Sequence, residues 1–396
     1  MEDRLRKLME SLPEGMDGAL LLAPVHRRYY LNMVSSAGTL LVTRSKCYFI
    51  VDFRYIEMAK GIIRGAEVIL QEDLEKQLKQ LITHEKLTCI GTDVGHITLQ
   101  VFREYQKMTG DLLVMDTRLE KVADRQRRVK SQDEIGKAVK AKEILDRVFG
   151  RITPYVRPGI RDDELQRRLG ILASEEGSQR GSFGFSLSFG DNCFDSLTLP
   201  DHILSGKVLQ EGDLLTLRLA AVYEGYWADM SRTICVGKAS AEQKELYRQA
   251  LRVKDCMIRN LRSGVRLGET AASAFEEAKG PGVLLSCEYG HGIGLEVEEG
   301  VRITKTTEET AENGMLLCLG ARLGIPGKGS VKIEEMAVVE NGAASMWGTP
   351  CWPFHQHSSC AVWCKTCDFH SIFATYSLRI VSSCPVAFEA KVVEKL

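Results

Sequence analysis

Continuous apolar runs alternate with helically spaced ones over the first third of the chain. GALLLAP at Gly18 to Pro24, GTLLVT at Gly38 to Thr43 and CYFIVDF at Cys47 to Phe53 are short and uninterrupted, the pattern of buried strands. Arg54 to Ile63 and Leu74 to Thr83 carry helical spacing, and Thr88 to Thr92 returns to a strand. This alternation predicts an α/β layer over residues 1–125. RQRRVK at Arg125 to Lys130 is a basic run that reads as a solvated linker, placed at 126–131.

Beyond it the period lengthens. Ser131 and Glu134 make an S-x-x-E capping box before Ile135, Val139, Ile144, Leu145 and Phe149, which keep near-helical spacing until Pro154 and Pro158-Gly159. Further helices are predicted over Asp163 to Glu176 and Gln243 to Leu261, the latter behind a second capping box of Ser240 and Gln243. Between them, Leu214 to Val222 and Ile234 to Val236 are strand-like, and Glu224, Gly225 and Tyr226 supply a turn, so a hairpin is expected. Arg218 and Asp229 fall on its two arms, where an antiparallel ladder aims both into one cleft. By spacing alone they are an ion pair. Long helices against an antiparallel sheet predict an α+β lobe over residues 132–344.

Composition narrows the function. The 396 residues allow roughly two to three domains, and 44% hydrophobic with 27% charged residues is globular. A net charge of −1 gives no bulk attraction to nucleic acid or to an anionic membrane. MEDRLRKLMESL has no apolar h-region, and no run nears the roughly 20 apolar residues that span a bilayer, so a cytoplasmic protein is expected. The twelve Cys then read as reduced thiols. His26, His84 and His96 stand alone in the sequence and suggest no ligand set. Residues 345–396 form an atypical tail rich in Cys, Trp and His, where Cys360, Cys364, Cys367 and His370 spell either a zinc or iron–sulfur knuckle or a poorly folded, out-of-frame extension.

Three stretches occurring in order change the weight of the hairpin. GDLLTLRLAAVYEGYWADMSRT, YGHGIGLEVEEG at Tyr289 to Gly300, and PGKGSVKIEEM at Pro326 to Met336 resemble the creatinase and Xaa-Pro peptidase family of metallopeptidases. SSAGTLLVT and VDFRYIEMAK are similar to that family's N-terminal lobe. The resemblance implies a pita-bread fold holding two divalent ions on an Asp, Asp, His, Glu, Glu set, a peptide or proline-containing dipeptide as substrate, and a homodimer. Carried over by position, the second Asp is Asp229, the His is His291 and the last Glu is Glu334. The first Asp position holds Arg218, and the first Glu position holds Gly320. Asp229, His291 and Glu334 are therefore expected to hold one ion, Mn, Co, Fe or Zn, with the Arg218 guanidinium in place of the other. The alternative is that no metal binds and Arg218 neutralises Asp229 and Glu334.

The residues that the resemblance assigns to catalysis and substrate have changed too. The Pro-His before the hairpin is Pro200-Asp201, with His202 displaced by one position. Cys287 and Glu298 stand where two further His would be, and Lys332 where an Arg is usual. His202 and Glu298 are thus the catalytic candidates, and Asp201, Cys287 and Lys332 the substrate-binding ones. Losing one oxyanion donor costs about 10² to 10³ in rate, and a general acid or base about 10² to 10⁴. The sequence predicts an Xaa-Pro peptidase with impaired or lost activity, or a pita-bread binding protein that does no catalysis.

Overall fold

The computed structural model describes residues 2–179, 186–189, 206–278, 282–340 and 344–346. Asp201, His202 and the tail cysteines Cys360, Cys364 and Cys367 with His370 lie outside the described residues.

The N-terminal lobe is a six-stranded mixed sheet of β1 (Gly18–Leu21), β2 (Thr39–Thr43), β3 (Cys47–Val51), β4 (Glu67–Leu70), β5 (Ile90–Thr92) and β6 (Leu113–Val114), in the order β4-β3-β2-β1-β5-β6. Its helices are α1 (Glu2–Glu10), α2 (Pro24–Leu31), α3 (Ile56–Ile62), α4 (Leu74–His84), α5 (Leu99–Thr109) and α6 (Thr117–Arg128). Leu21, Leu40 and Phe49 pack on one side with Leu5 and Leu8 of α1, while Leu20, Leu41 and Ile50 pack on the other with Leu78 of α4 and Phe102 of α5. Both faces are covered, which is why these strands read as unbroken apolar runs. The pattern does not reveal α2, since its Pro24 looks like a strand terminator and HRR like a loop. Proline is nonetheless suited to the first position of a helix, and His26 and Arg27 are buried rather than solvated.

The basic run is not a solvated linker. Arg125 to Arg128 finish α6, and Arg127 and Lys130 are only 3% and 5% exposed. Arg127 Nη2 donates to Glu296 Oε2 at 2.7 Å and to Glu299 Oε2 at 2.6 Å, and Lys130 Nζ to Glu299 Oε1 at 2.7 Å. Charges this deep are tolerable because they are paired, and composition alone does not show pairing across 169 residues of sequence.

The second lobe carries α7 (Gln132–Ile152), α8 (Asp162–Glu175), α9 (Ala241–Asn260) and α10 (Leu267–Glu277). Both capping boxes form as expected, Ser131 with Glu134 and Ser240 with Gln243. The sheet comprises β7 (Ser186–Ser188), β8 (Leu214–Tyr223), β9 (Tyr226–Cys235), β10 (Leu284–Leu285), β11 (Gly290–Gly292), β12 (Arg302–Ile303), β13 (Leu316–Ile325), β14 (Gly329–Val339) and β15 (Ala344–Met346). Its main path is β12-β11-β13-β14-β9-β8-β7. The second arm of the expected hairpin starts eight residues earlier than its apolar end suggests, at Tyr226, because its inward positions Asp229, Ser231 and Thr233 are polar. Leu215, Leu217 and Leu219 of β8 pack with α7 and α8, and Leu317, Leu319 and Ile333 of β13 and β14 pack with α9 and α10. The side chains between them alternate to the opposite face. That face is the floor of a cleft.

Candidate active site

Register decides which side chains meet on the cleft floor. Arg218 lies opposite Ser231 and Asp229 opposite Ala220, so Arg218 and Asp229 are diagonal neighbours on one face of β8 and β9. Ser231 lies opposite Glu334 of β14, which lies opposite Gly320 of β13, and His291 of β11 lies opposite Cys318. Two hairpins and one short strand thus bring Arg218, Asp229, His291, Gly320 and Glu334 to a single surface.

The Arg218 guanidinium grips Asp229, with Nε 3.0 Å and Nη2 2.6 Å from Oδ2. Nη2 also reaches Glu298 Oε1 at 3.3 Å, and the other oxygen of Glu298 accepts from Arg302 at 2.9 Å. Arg218 therefore hydrogen-bonds Asp229 and Glu298, while Glu334 acts on it by charge. Burial of Asp229 opposes its charged form, but Arg218 and then His291 outweigh this and hold the carboxyl well below the usual carboxylate range. Asp229 in turn raises Arg218 further above its ordinary value.

Glu334 finds a different cation. Lys332 Nζ is 2.7 Å from Glu334 Oε2, and the same oxygen accepts from Ser231 Oγ at 2.5 Å. Lys332 is thus placed beside an acid of the cleft, whereas Cys287 is exposed in the turn before His291. At Gly320 there is no side chain, and none fits. An added Cβ would lie 1.9 Å from the Ile333 carbonyl oxygen and 2.9 Å from Glu334 Cα.

His291 is 3% exposed, and its Nδ1 lies 3.1 Å from the Gly292 carbonyl oxygen, to which it donates. Its Nε2 is 3.5 Å from Asp229 Oδ2 and has no hydrogen-bond partner among the described residues. Beside it sits Cys318, a residue the sequence reading passed over. One donor atom from each of Asp229, His291 and Cys318 lies within 4.8 Å of the others. The available signal was periodic: Cys318 precedes Gly320 by two and shares its strand face. Burial, reinforced by Asp229 and Glu334, pushes the Cys318 thiol well above its ordinary value, so the free thiol stays protonated.

Comparison with known proteins places this geometry. Residues 137–341 match the profile of metallopeptidase family M24, and residues 2–129 that of the creatinase/prolidase N-terminal domain. An uncharacterized peptidase of Bacillus subtilis is 28% identical over 88% of this chain and 98% of its own length. The Xaa-Pro dipeptidase of Pyrococcus furiosus is 26% identical, covering 88% of this chain and 99% of the relative. Among solved structures, Xaa-Pro dipeptidase from Bacillus anthracis superposes with a TM-score of 0.80 at 26% identity, covering 88% of this chain and 98% of the other. Among the described residues no helix is long and apolar enough to cross a membrane. With its two-lobed pita-bread architecture and both profiles matched in order, the chain belongs to metallopeptidase family M24.

Proposed function

We propose that this chain is a peptidase of the Xaa-Pro dipeptidase type by descent, whose cleft has exchanged the two-ion hydrolytic centre for fixed ion pairs. Hydrolysis of Xaa-Pro bonds is then strongly impaired or lost, and recognition of proline-containing peptides is what remains. The relatives named as Xaa-Pro dipeptidases support the substrate class. The observation that carries the loss is the Arg218 guanidinium at 2.6 Å from Asp229, where a cation already neutralises the acid.

Two divalent ions do not fit the residues present. Each retained acid has a cationic side chain of its own, Arg218 on Asp229 and Lys332 on Glu334, and Gly320 offers no donor. A second reading has one observation in its favour. The buried, unpartnered Nε2 of His291 beside Asp229 and Cys318 could hold a single ion of the Zn, Mn, Co or Fe class, with Glu334 nearby. Such an ion would supply a Lewis acid, and this chain's own residues would orient it through His291, whose tautomer the Gly292 carbonyl fixes.

The test is metal analysis of the purified full chain, with Mn²⁺ or Co²⁺ titrated against an Xaa-Pro dipeptide and dipeptide binding followed by calorimetry. Expected are at most one ion that Asp229→Asn removes, turnover lower by at least about 10² than a two-ion relative assayed alongside, and retained binding. Two bound ions that Asp229→Asn removes together, with turnover abolished, would overturn the proposal.

A further inference from the structure

Two histidines that stand alone in the sequence meet at the junction of the lobes. His26, in α2, is completely buried, and its Nδ1 is 3.0 Å from Asp93 Oδ2. The Asp93 carboxylate is itself held, accepting from Leu22 N at 3.1 Å, Ala23 N at 2.7 Å and Thr92 Oγ1 at 3.2 Å. A carboxylate fixed in this way places the ring proton on Nδ1 and leaves Nε2 with its lone pair outward. That Nε2 is buried and has no hydrogen-bond partner among the described residues.

The neighbour of the His26 ring is His96, with ring centroids 4.6 Å apart. His96 Nδ1 contacts Glu120 Oε1, and its Nε2 is 3.3 Å from Glu296 Oε2. One donor atom from each of His26, His96 and Glu120 lies within 4.8 Å of the others. Glu296 belongs to the loop that follows His291, so the cluster draws on both lobes. Glu120 also accepts from the Gly95 amide at 3.0 Å, which fixes it against the loop bearing His96.

We propose that His26, His96 and Glu120 form a zinc-class divalent cation site at the lobe junction, with Glu296 of the second lobe behind it as the acceptor for His96 Nε2. Imidazole nitrogens and one carboxylate suit Zn²⁺, whereas Mg²⁺ and Ca²⁺ are held by oxygen. Asp93 is the positioning residue, holding the His26 ring by its other nitrogen, the arrangement that recurs behind zinc-bound histidines. Without an ion, His96 is an imidazolium that donates through Nδ1 to Glu120 and through Nε2 to Glu296. When the ion binds, His96 releases its Nδ1 proton to solvent and keeps the Nε2 proton on Glu296, and Glu120 turns from the ring to the metal. The role of the site is structural, since it fastens the loop that carries Glu296 to the N-terminal lobe.

Chelator-stripped full chain titrated with Zn²⁺ by calorimetry, and with Co²⁺ by visible absorption, tests the assignment. One ion is expected to disappear in His96→Asn and in Glu120→Gln and to persist in His291→Ala. Asp93→Asn should weaken it about 10- to 100-fold. Because His26 is so deeply buried, the half-exposed His96 carries the test should His26→Ala fail to fold. An ion count unchanged by His96→Asn and Glu120→Gln, no zinc bound by the native chain, or loss of zinc only in His291→Ala would each overturn the proposal.

Discussion

The two long hairpins of the second lobe are built alike behind and differently in front. On the back of β8 and β9, and again on β13 and β14, alternate residues are apolar and buried against a pair of helices. On the cleft side each hairpin presents one acid, Asp229 or Glu334, and what stands next to that acid differs in kind. The first hairpin has Arg218, a side chain of opposite charge lying on Asp229. The second has Gly320, where the backbones have drawn too close for any Cβ. Apolar burial fixes the hairpins whatever the cleft contains, so the fold outlasts changes in its chemistry.

Removing the guanidinium should show the largest effect. Arg218→Ala leaves Asp229, fully buried, without its main counter-charge, and breaking such a pair costs about 3–5 kcal/mol. Denaturant unfolding measures this, and added Mn²⁺ or Co²⁺ should recover part of it if the vacated place accepts an ion. A metal-independent loss below about 1 kcal/mol would mean that Arg218 does not neutralise Asp229. On the second hairpin, Gly320→Glu should destabilise by about 1–3 kcal/mol, because the strands must part to admit it. It should not raise the bound-metal count while Arg218 remains. Lys332→Met should cost less than Arg218→Ala, about 1.5 kcal/mol, since Glu334 retains the Ser231 hydroxyl.

A dependence on pH separates the cleft from the lobe junction. Hydrogen bonds to Glu120 and Glu296 raise His96 from 6.5 to about 10. A group raised on folding stabilises fully below its unfolded value and loses that contribution as pH climbs through the folded one. Chelator-stripped protein should therefore lose stability between about pH 6.5 and 10, with a slope that His96→Asn removes and Arg218→Ala leaves in place. Chemical denaturation at several pH values would show it.

The hairpin, both capping boxes and β1, β2, β3 and β5 of the first lobe were legible because each is written in local spacing. Asp229, His291 and Glu334 were legible as candidates through the stretches around them. Three features were not. Cys318 is one apolar-looking residue in LLCLG, and only strand register sets it against His291. His26 and His96 are 70 residues apart, and only the pairing of β1 with β5, which sets α2 beside the loop after β5, joins them. RQRRVK looks like a surface run because its acidic partners, Glu296 and Glu299, lie in another lobe. Long-range pairing of charge leaves no periodic trace along a chain.

That last pairing bears on how the molecule comes apart. Glu299, its side chain 5% exposed, takes one oxygen to Arg127 and the other to Lys130, so pulling the lobes apart would break both ion pairs and leave it only the Leu295 and Glu296 amides. Neither half has a comfortable existence alone. Heating should melt both in one calorimetric peak, and a fragment cut after Ser131 should lose its cooperative transition rather than survive as a smaller domain.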